Sequence, residues 1–245
     1  MTPRLFCAGD LAVGATLTLP ESAAHHARDV LRLGADAEVT LLNGLGGEYR
    51  ARLLLVTRKE VRAKVLACHQ RESEAPHAVT VAQSLAAGDK MDWIVEKSVE
   101  LGAAAIVPLA AARSVLRLSA ERATRRVDHW RAIARSACEQ CGRNRLPQIE
   151  PVAPIDHWLA AARERPGLKL MLSPVHPARF SALPAPAPGT PVTLLIGPEA
   201  GLTDAEEALA VAAGFVPILL GPRVMRTETA ALAALAAIHA RWGDF

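Results

Sequence analysis

The spacing of apolar residues changes character at one place in this chain, the polar stretch RESEAPH from Arg71 to His77. Before it, TLTLP, EVTLL, EYRARLLLV and EVRAKVLA alternate with the period of two expected of half-buried strands, separated by turn signals such as NGLGG and TRKE. A helical stretch from Ser22 to Arg32, closed by Gly34, lies between the first two. After RESEAPH, the runs VTVAQSL, AAAIVPLA, LKLML, VTLLI and VPILL are continuously apolar, as strands buried on both faces are. Helical segments alternate with them: DKMDWIVEKSVELG, Ser119 to Cys141, Ile155 to Arg163, Asp204 to Ala213 and Glu228 to Arg241. The pattern predicts an α/β domain with a mainly parallel sheet over residues 73–245, preceded by a small β-rich domain over residues 1–72. Six prolines from Ser173 to Pro191 mark a surface connection.

Composition narrows the class. Half of the 245 residues are hydrophobic (51%) and 22% are charged, as in a globular protein. No run resembles a membrane-spanning helix, and Met1 to Asp10 lacks the layout of a signal peptide, so a cytoplasmic location is expected. The four cysteines, Cys7, Cys68, Cys138 and Cys141, are too few for a disulfide framework. Cys138-x-x-Cys141 has no second pair to complete a zinc site, so no metal is expected. Charge is unevenly spread. Arg113 to Arg145 holds nine arginines against three acids, whereas Pro191 to Phe245 holds three arginines against six acids. The basic segment suits a polyanion, although a solvated helix face is the ordinary alternative.

Two short segments echo each other. Ile196-Gly197-Pro198 and Leu220-Gly221-Pro222 each close an apolar strand, at the end where open α/β sheets bind ligands. Neither carries G-x-x-x-x-G-K-[ST] or G-x-G-x-x-G. Gly44, Gly46 and Gly47 come nearer in composition but lie between two strands and read as a hairpin turn. Thr203 and Glu206 form a capping box, and Asp204, Glu206 and Glu207 place carboxylates in the first turn of the following helix. With Glu199, these would repel a phosphate. The paired loops instead suit a ligand that is neutral or cationic at this rim, held by bare backbone.

LLIGPEAGLT and ILLGPRVMRTETAALAAL, with PRLF (Pro3 to Phe6), HHARDVLRL (His25 to Leu33), EKSVELG (Glu96 to Gly102), SACEQCGRNRLP (Ser136 to Pro147) and the terminal RWGDF, resemble the bacterial 16S ribosomal RNA uracil-N3 methyltransferases of the SPOUT superfamily. One departure is Ala200, where that family usually has the first glycine of IGPEGG. The resemblance implies a C-terminal domain with a deep trefoil knot that binds S-adenosyl-L-methionine, and an N-terminal PUA-like β-barrel that binds RNA. It also implies a homodimer acting on 16S rRNA or the small ribosomal subunit. Methylation of another RNA position such as a ribose 2′-hydroxyl, or a non-catalytic role in ribosome assembly, are the alternatives.

By the matching motifs, the cofactor pocket is expected from Leu172, Leu195, Ile196, Gly197, Pro198, Glu199, Gly201, Leu219, Leu220, Gly221, Met225, Arg226 and Thr227. For its apolar members plain core burial is the alternative. Methyl transfer to uracil N3 requires loss of the imide proton, which makes Arg226, Glu199 and Glu228 the catalytic candidates. The alternatives are a salt bridge from Arg226 to Glu228 or Glu199, and a helix N-terminal carboxylate for Glu228. Arg4, Arg28 and Arg32, with Gln140, Arg143, Asn144 and Arg145, are the expected RNA contacts.

Overall fold

A computed structural model describes residues 2–175 and 177–245. Met1, at the start of the expected first domain, and His176, within the proline-rich connection, lie outside the described residues. The chain divides into two compact units, Met1–Glu74 with Arg135–Leu146, and Ala75–Ala134 with Pro147–Phe245.

In the first unit, β1 (Arg4–Phe6), β2 (Thr16–Thr18), α1 (Glu21–His25), β3 (Glu38–Leu42), β4 (Glu48–Val56) and β5 (Val61–His69) follow in order. The helix predicted from Ser22 to Arg32 is shorter: α1 passes into a single π-helical turn over His26–Val30. The strands form one sheet in the order β1-β3-β4-β5-β2, with β1 parallel to β3 and the other pairs antiparallel. Alternation puts Val39, Leu41, Ala51, Leu53, Val61, Ala63 and Val65 in the core, where Ala23 and Ala27 cover them.

Arg135–Leu146, which the sequence pattern assigns to the second domain, clusters with this first unit. Its contacts show why. Leu146 N–H donates to Gly44 O (3.1 Å), and Glu139 Oε1 accepts from Phe6 N–H (2.6 Å). A Cβ at Gly44, where φ is +83°, would stand 2.7 Å from Leu146 Cγ, so the turn needs glycine for close approach as well as for its backbone angle. Arg4 donates to Glu48 (3.0 Å), to Asn144 Oδ1 (2.6 Å) and to Arg143 O (3.1 Å). Arg143 is 3% exposed and pairs with Glu74 through two nitrogens (2.6 and 3.0 Å). The fully buried Asn144 donates to Arg71 O (2.6 Å).

The second unit contains β6 (Val79–Ser84), α2 (Lys90–Glu100), β7 (Ala103–Ala110) and most of α3 (Ala120–Cys141), then β8 (Gln148–Ile149), β9 (Ala153–Pro154), α4 (Ile155–Ala162) and β10 (Leu168–Leu172). It ends with β11 (Ala178–Arg179), β12 (Val192–Ile196), α5 (Asp204–Ala212), β13 (Val216–Leu219) and α6 (Thr227–Trp242). The sheet order is β11-β13-β10-β12-β6-β7-β8, with β9 also on β7, and every pair is parallel. The α/β class expected from the continuous apolar strands is therefore present. On one side, Trp158, Leu159, Ala210 and Phe215 pack with Val107, Met171 and Leu195 of the sheet. On the other, α2 and α6 pack together, with α6 also against β6 and β12. Lys169, 8% exposed in β10, donates to Arg163 O (2.8 Å) and Ala213 O (3.1 Å), the carbonyls closing α4 and α5. Among the described residues no helix is long and apolar enough to cross a membrane.

Removing a buried ion-pair partner strands the other charge, at a cost of about 3 kcal/mol or more. Arg143→Ala should therefore lower the calorimetric unfolding midpoint of the first unit by roughly 10 °C or more. Arg145→Ala, at a half-exposed side chain, should change stability by less than about 0.5 kcal/mol.

Candidate functional site

Because β10 lies between β12 and β13, the carboxyl ends of these parallel strands bring three chain segments together. The loops leaving Ile196 and Leu219 flank the end of β10 at Leu172, and between them opens a cavity of about 470 Å³. That volume lies in the range of small-molecule sites. Of the residues expected around it, Leu172, Ile196, Gly197, Pro198, Glu199, Gly201, Leu219, Leu220, Gly221, Met225 and Thr227 line it. Leu195 does not: its side chain is fully buried in the core behind the strand. Arg226 does not line it either and stands exposed immediately before α6. Glu207, one of the carboxylates expected at this rim, lines it too, and sequence reasoning missed Ser173 and Arg223, which also line the cavity.

The first loop is tightly folded. A Cβ at Gly197 would meet Leu202 N at 3.1 Å and Leu202 Cγ at 3.2 Å. The left-handed position falls on Gly201 (φ +72°), while Ala200 has an ordinary backbone angle. Alanine is therefore accommodated at the one position that departs from the family pattern, without strain. Arg113 holds this loop by donating to Leu202 O (2.9 Å) and Ala200 O (3.4 Å). The capping box forms as expected: Glu206 N–H donates to Thr203 Oγ1 (3.2 Å) and Thr203 N–H to Glu206 Oε2 (2.7 Å). Glu206 also accepts from Ala112 N–H (2.7 Å) and is 6% exposed, so it is turned away from the cavity it was expected to charge. At the second loop, Gly221 has neither a left-handed angle nor any protein atom near the place of a Cβ. Glycine there leaves bare backbone at the cavity wall.

A buried relay ties the two loops together. Gln83 Nε2, at the end of β6, donates to Thr227 Oγ1 (2.8 Å), and Thr227 Oγ1 donates to Gly197 O (2.7 Å). The first turn of α6 is thereby fixed to the first loop. Beside it, Lys90 Nζ lies 2.9 Å from Glu199 Oε1 and 3.8 Å from Glu228 Oε2. Glu199 also accepts from Ala87 N–H (3.0 Å). Partial burial raises the Glu199 carboxyl, but the bonds from Lys90 and backbone N–H groups outweigh it and hold it below its ordinary value. Glu228 Oε2 is buried with no hydrogen-bond donor among the described residues. Arg226 has no carboxylate partner among the described residues, since Glu199 and Glu228 both face Lys90. Lys90 was invisible to sequence reasoning because it stands 109 positions from Glu199.

This chemistry fits a sulfonium cofactor. The wall is mostly apolar side chains and exposed backbone, with Glu199 and Glu207 as its carboxylates and Arg223 as its guanidinium. Glu207 is oriented by Ser173 Oγ, which donates to it at 2.9 Å.

The expected RNA contacts separate into two groups. Arg4, Arg143 and Asn144 are occupied in the internal network of the first unit, and this geometry replaces an RNA contact with a structural part for them. Arg32, Gln140 and Arg145 are exposed; Arg28 is tied to Asp29 and to the carbonyls of Thr57 and Arg58. The Cys138 thiol, pushed up to about 12 by burial, donates to Arg145 O (3.6 Å). On the second-unit part of α3, Arg122, Arg125, Arg126 and His129 line a shallow hollow with Arg117. Asp92 of α2 anchors that face by accepting from Trp130 Nε1 and His129 Nε2, each at 2.9 Å.

Comparison with known proteins identifies the family. Residues 73–239 match the family model described as an RNA methyltransferase domain, and residues 19–66 the one described as an RNA methyltransferase PUA domain. The chain is 33% identical over 230 residues to the ribosomal RNA small subunit methyltransferase E of Bacillus subtilis (strain 168), covering 91% of this chain and 89% of that protein. The crystal structure of a ribosomal RNA small subunit methyltransferase E from Neisseria gonorrhoeae, bound to S-adenosyl methionine, is 37% identical with a TM-score of 0.93 over 100% of both chains. A Legionella pneumophila protein in complex with the cofactor SAM is 35% identical, with a TM-score of 0.94 over 100% of both chains. Paired strand-end loops, the cavity between them and these matches together place the chain in the RNA methyltransferase family, among the ribosomal RNA small subunit methyltransferases E.

Proposed function

We propose that this chain transfers the methyl group of S-adenosylmethionine to N3 of a specific uridine in 16S ribosomal RNA. The observation that carries the reading is the pair of glycine-proline loops, joined by Thr227, framing a cavity with carboxylates and no phosphate-binding motif. When bound, the cofactor supplies an electrophilic methyl group on a cationic sulfonium. Backbone groups of Ile196, Gly197, Leu219, Leu220 and Gly221, the side chains of Leu172 and Met225, and the Glu199 rim would hold it. Leu195 supports the first loop from the core.

Arg226, exposed and with no carboxylate partner among the described residues, is the group that stabilises negative charge developing on the uracil ring as the N3 proton leaves. Glu228 is the preferred proton acceptor. Its Oε2 lacks a hydrogen-bond donor, whereas Glu199 is occupied by Lys90 and Ala87 N–H and is a weaker base for its lowered pKa. Arg28, Arg32, Gln140 and Arg145 are proposed RNA contacts, with Arg4, Arg143 and Asn144 fixing the segment that carries Arg145.

The same reading includes a PUA-like barrel in the first unit, a knotted domain in the second, a homodimer and a cytoplasmic site of action. Support for the knot comes from α6, which leaves β13 yet packs against β12 and β6 across the intervening β10. Val224, 96% exposed at the cavity rim, supports a partner subunit close to the site.

Nucleoside mass spectrometry of 16S rRNA from cells lacking this protein should show loss of 3-methyluridine, restored by the wild-type chain; undiminished 3-methyluridine would refute the assignment. Arg226→Ala should bind the cofactor within about threefold of wild type in calorimetric titration while methylation falls at least about 100-fold. The Glu199 contribution has a pH sign. A carboxyl held below its ordinary value stabilises the loop above that value and loses the effect as pH falls through the lowered one. Cofactor affinity should therefore withstand acidification further in wild type than in Lys90→Met, whose affinity should begin to fall at a higher pH.

A further inference from the structure

The outward face of the first unit carries an arrangement that its own stability does not require. The register places Arg52 directly opposite Lys64 on antiparallel β4 and β5, with Glu38 beside Arg52 on β3 and Thr16 beside Lys64 on β2. Arg50, two residues along β4, and Arg62, two residues along β5, lie on the same face, and all four cations are exposed. Like charges directly opposite each other in a sheet destabilise the pair. Glu38 relieves part of this by pairing with Arg52 at 3.2 Å, but among the described residues no acid pairs with Arg50, Arg62 or Lys64. From Glu48 to His69 the chain holds six lysines and arginines against two glutamates.

We propose that this β4–β5 face is a binding surface for the phosphate backbone of RNA, with Arg50, Arg52, Arg62 and Lys64 as its cations. The proposal rests on the function proposed above and adds a contact surface to it. Neighbouring positions on one strand face stand about 7 Å apart, and adjacent strands about 5 Å. Four positive charges are thus concentrated in a patch that a closely charged polyanion neutralises and a single carboxylate does not. An RNA backbone is favoured over other anionic surfaces because residues 19–66, which take in β4, the first part of β5 and all four cations, match an RNA methyltransferase PUA domain. The face bears no aromatic side chain at its outward positions on β4 and β5, where Leu54 accompanies the cations. It is suited to contacts that position the nucleic acid, leaving base recognition to other residues.

The test uses the full chain, a fluorescently labelled in vitro transcript of 16S rRNA, and a variant with Arg50, Arg52, Arg62 and Lys64 all changed to Gln. Wild type should bind the transcript with a steep salt dependence. The variant should bind at least about tenfold more weakly at about 0.1 M salt, with the log–log slope reduced by roughly three to four, while cofactor titration is unchanged. Methylation should then fail through KM for RNA with kcat retained. A second arm separates function from folding: Lys64→Glu, which relieves the like-charge pair, should raise the unfolding midpoint while weakening RNA binding. Unchanged RNA affinity and slope in the quadruple variant would overturn the proposal and leave the methyltransferase reading intact. Wild-type binding that is lost in the variant without any methyl transfer by wild type would overturn the reading and leave the surface standing. Retained RNA affinity with lost binding to phosphatidylglycerol vesicles would assign the face to a membrane instead.

Discussion

Thr227 Oγ1 takes part in two hydrogen bonds of opposite sense, accepting from Gln83 and donating to Gly197 O. A hydroxyl has one proton, so this pair of bonds fixes which neighbour must donate and which must accept. Both partners are main features of the site: one at the end of a central strand, the other the first residue of the loop that follows β12. The relay therefore sets the separation of the two glycine-proline loops. Without it, the buried amide and carbonyl would each lose a partner, a penalty of about 1–3 kcal/mol for each group. The cavity follows from this constraint as much as from the strand order, which merely brings the loops to the same end of the sheet.

Charge at the site is arranged with similar economy. Lys90 stands at the start of α2, within reach of two carboxylates, Glu199 in the first loop and Glu228 in the first turn of α6. It keeps Glu199 ionised and gives Glu228 only a distant counter-charge. Two glutamates with identical side chains thus stand in unlike environments, one bonded by Lys90 and a backbone N–H, the other with its Oε2 buried and without a donor among the described residues.

Much of this was legible in the sequence. The alternating and continuous apolar runs located nearly every long strand, and the capping box at Thr203 and Glu206 formed as the spacing required. The loops could be paired because both end a buried strand in the same two residues. The failures have a common physical source. Residue type says that arginine and asparagine prefer water, but Arg4 pairs with Glu48 and Asn144, and Arg143 with Glu74, across 44 to 140 positions. Long-range pairing of polar groups leaves no periodic trace. Glu206 misled for the same reason, since its carboxylate faces Ala112 N–H, 94 positions away, instead of the rim. Short edge strands such as β8, β9 and β11 contain too few residues for alternation to register at all.

The first unit is discontinuous in the chain, being completed by Arg135–Leu146. During synthesis, its five strands leave the ribosome well before the segment that supplies partners to Arg4, to Phe6 N–H and to the carbonyl of Gly44. At about 5–20 residues per second the delay lasts several seconds or more, far longer than a hairpin takes to form. The nascent sheet must therefore wait, with the Arg4 guanidinium held by Glu48 alone and an uncovered turn, until more than half of the polypeptide has been made. Assembly of this unit is a late event in the life of the chain, although its sequence comes first.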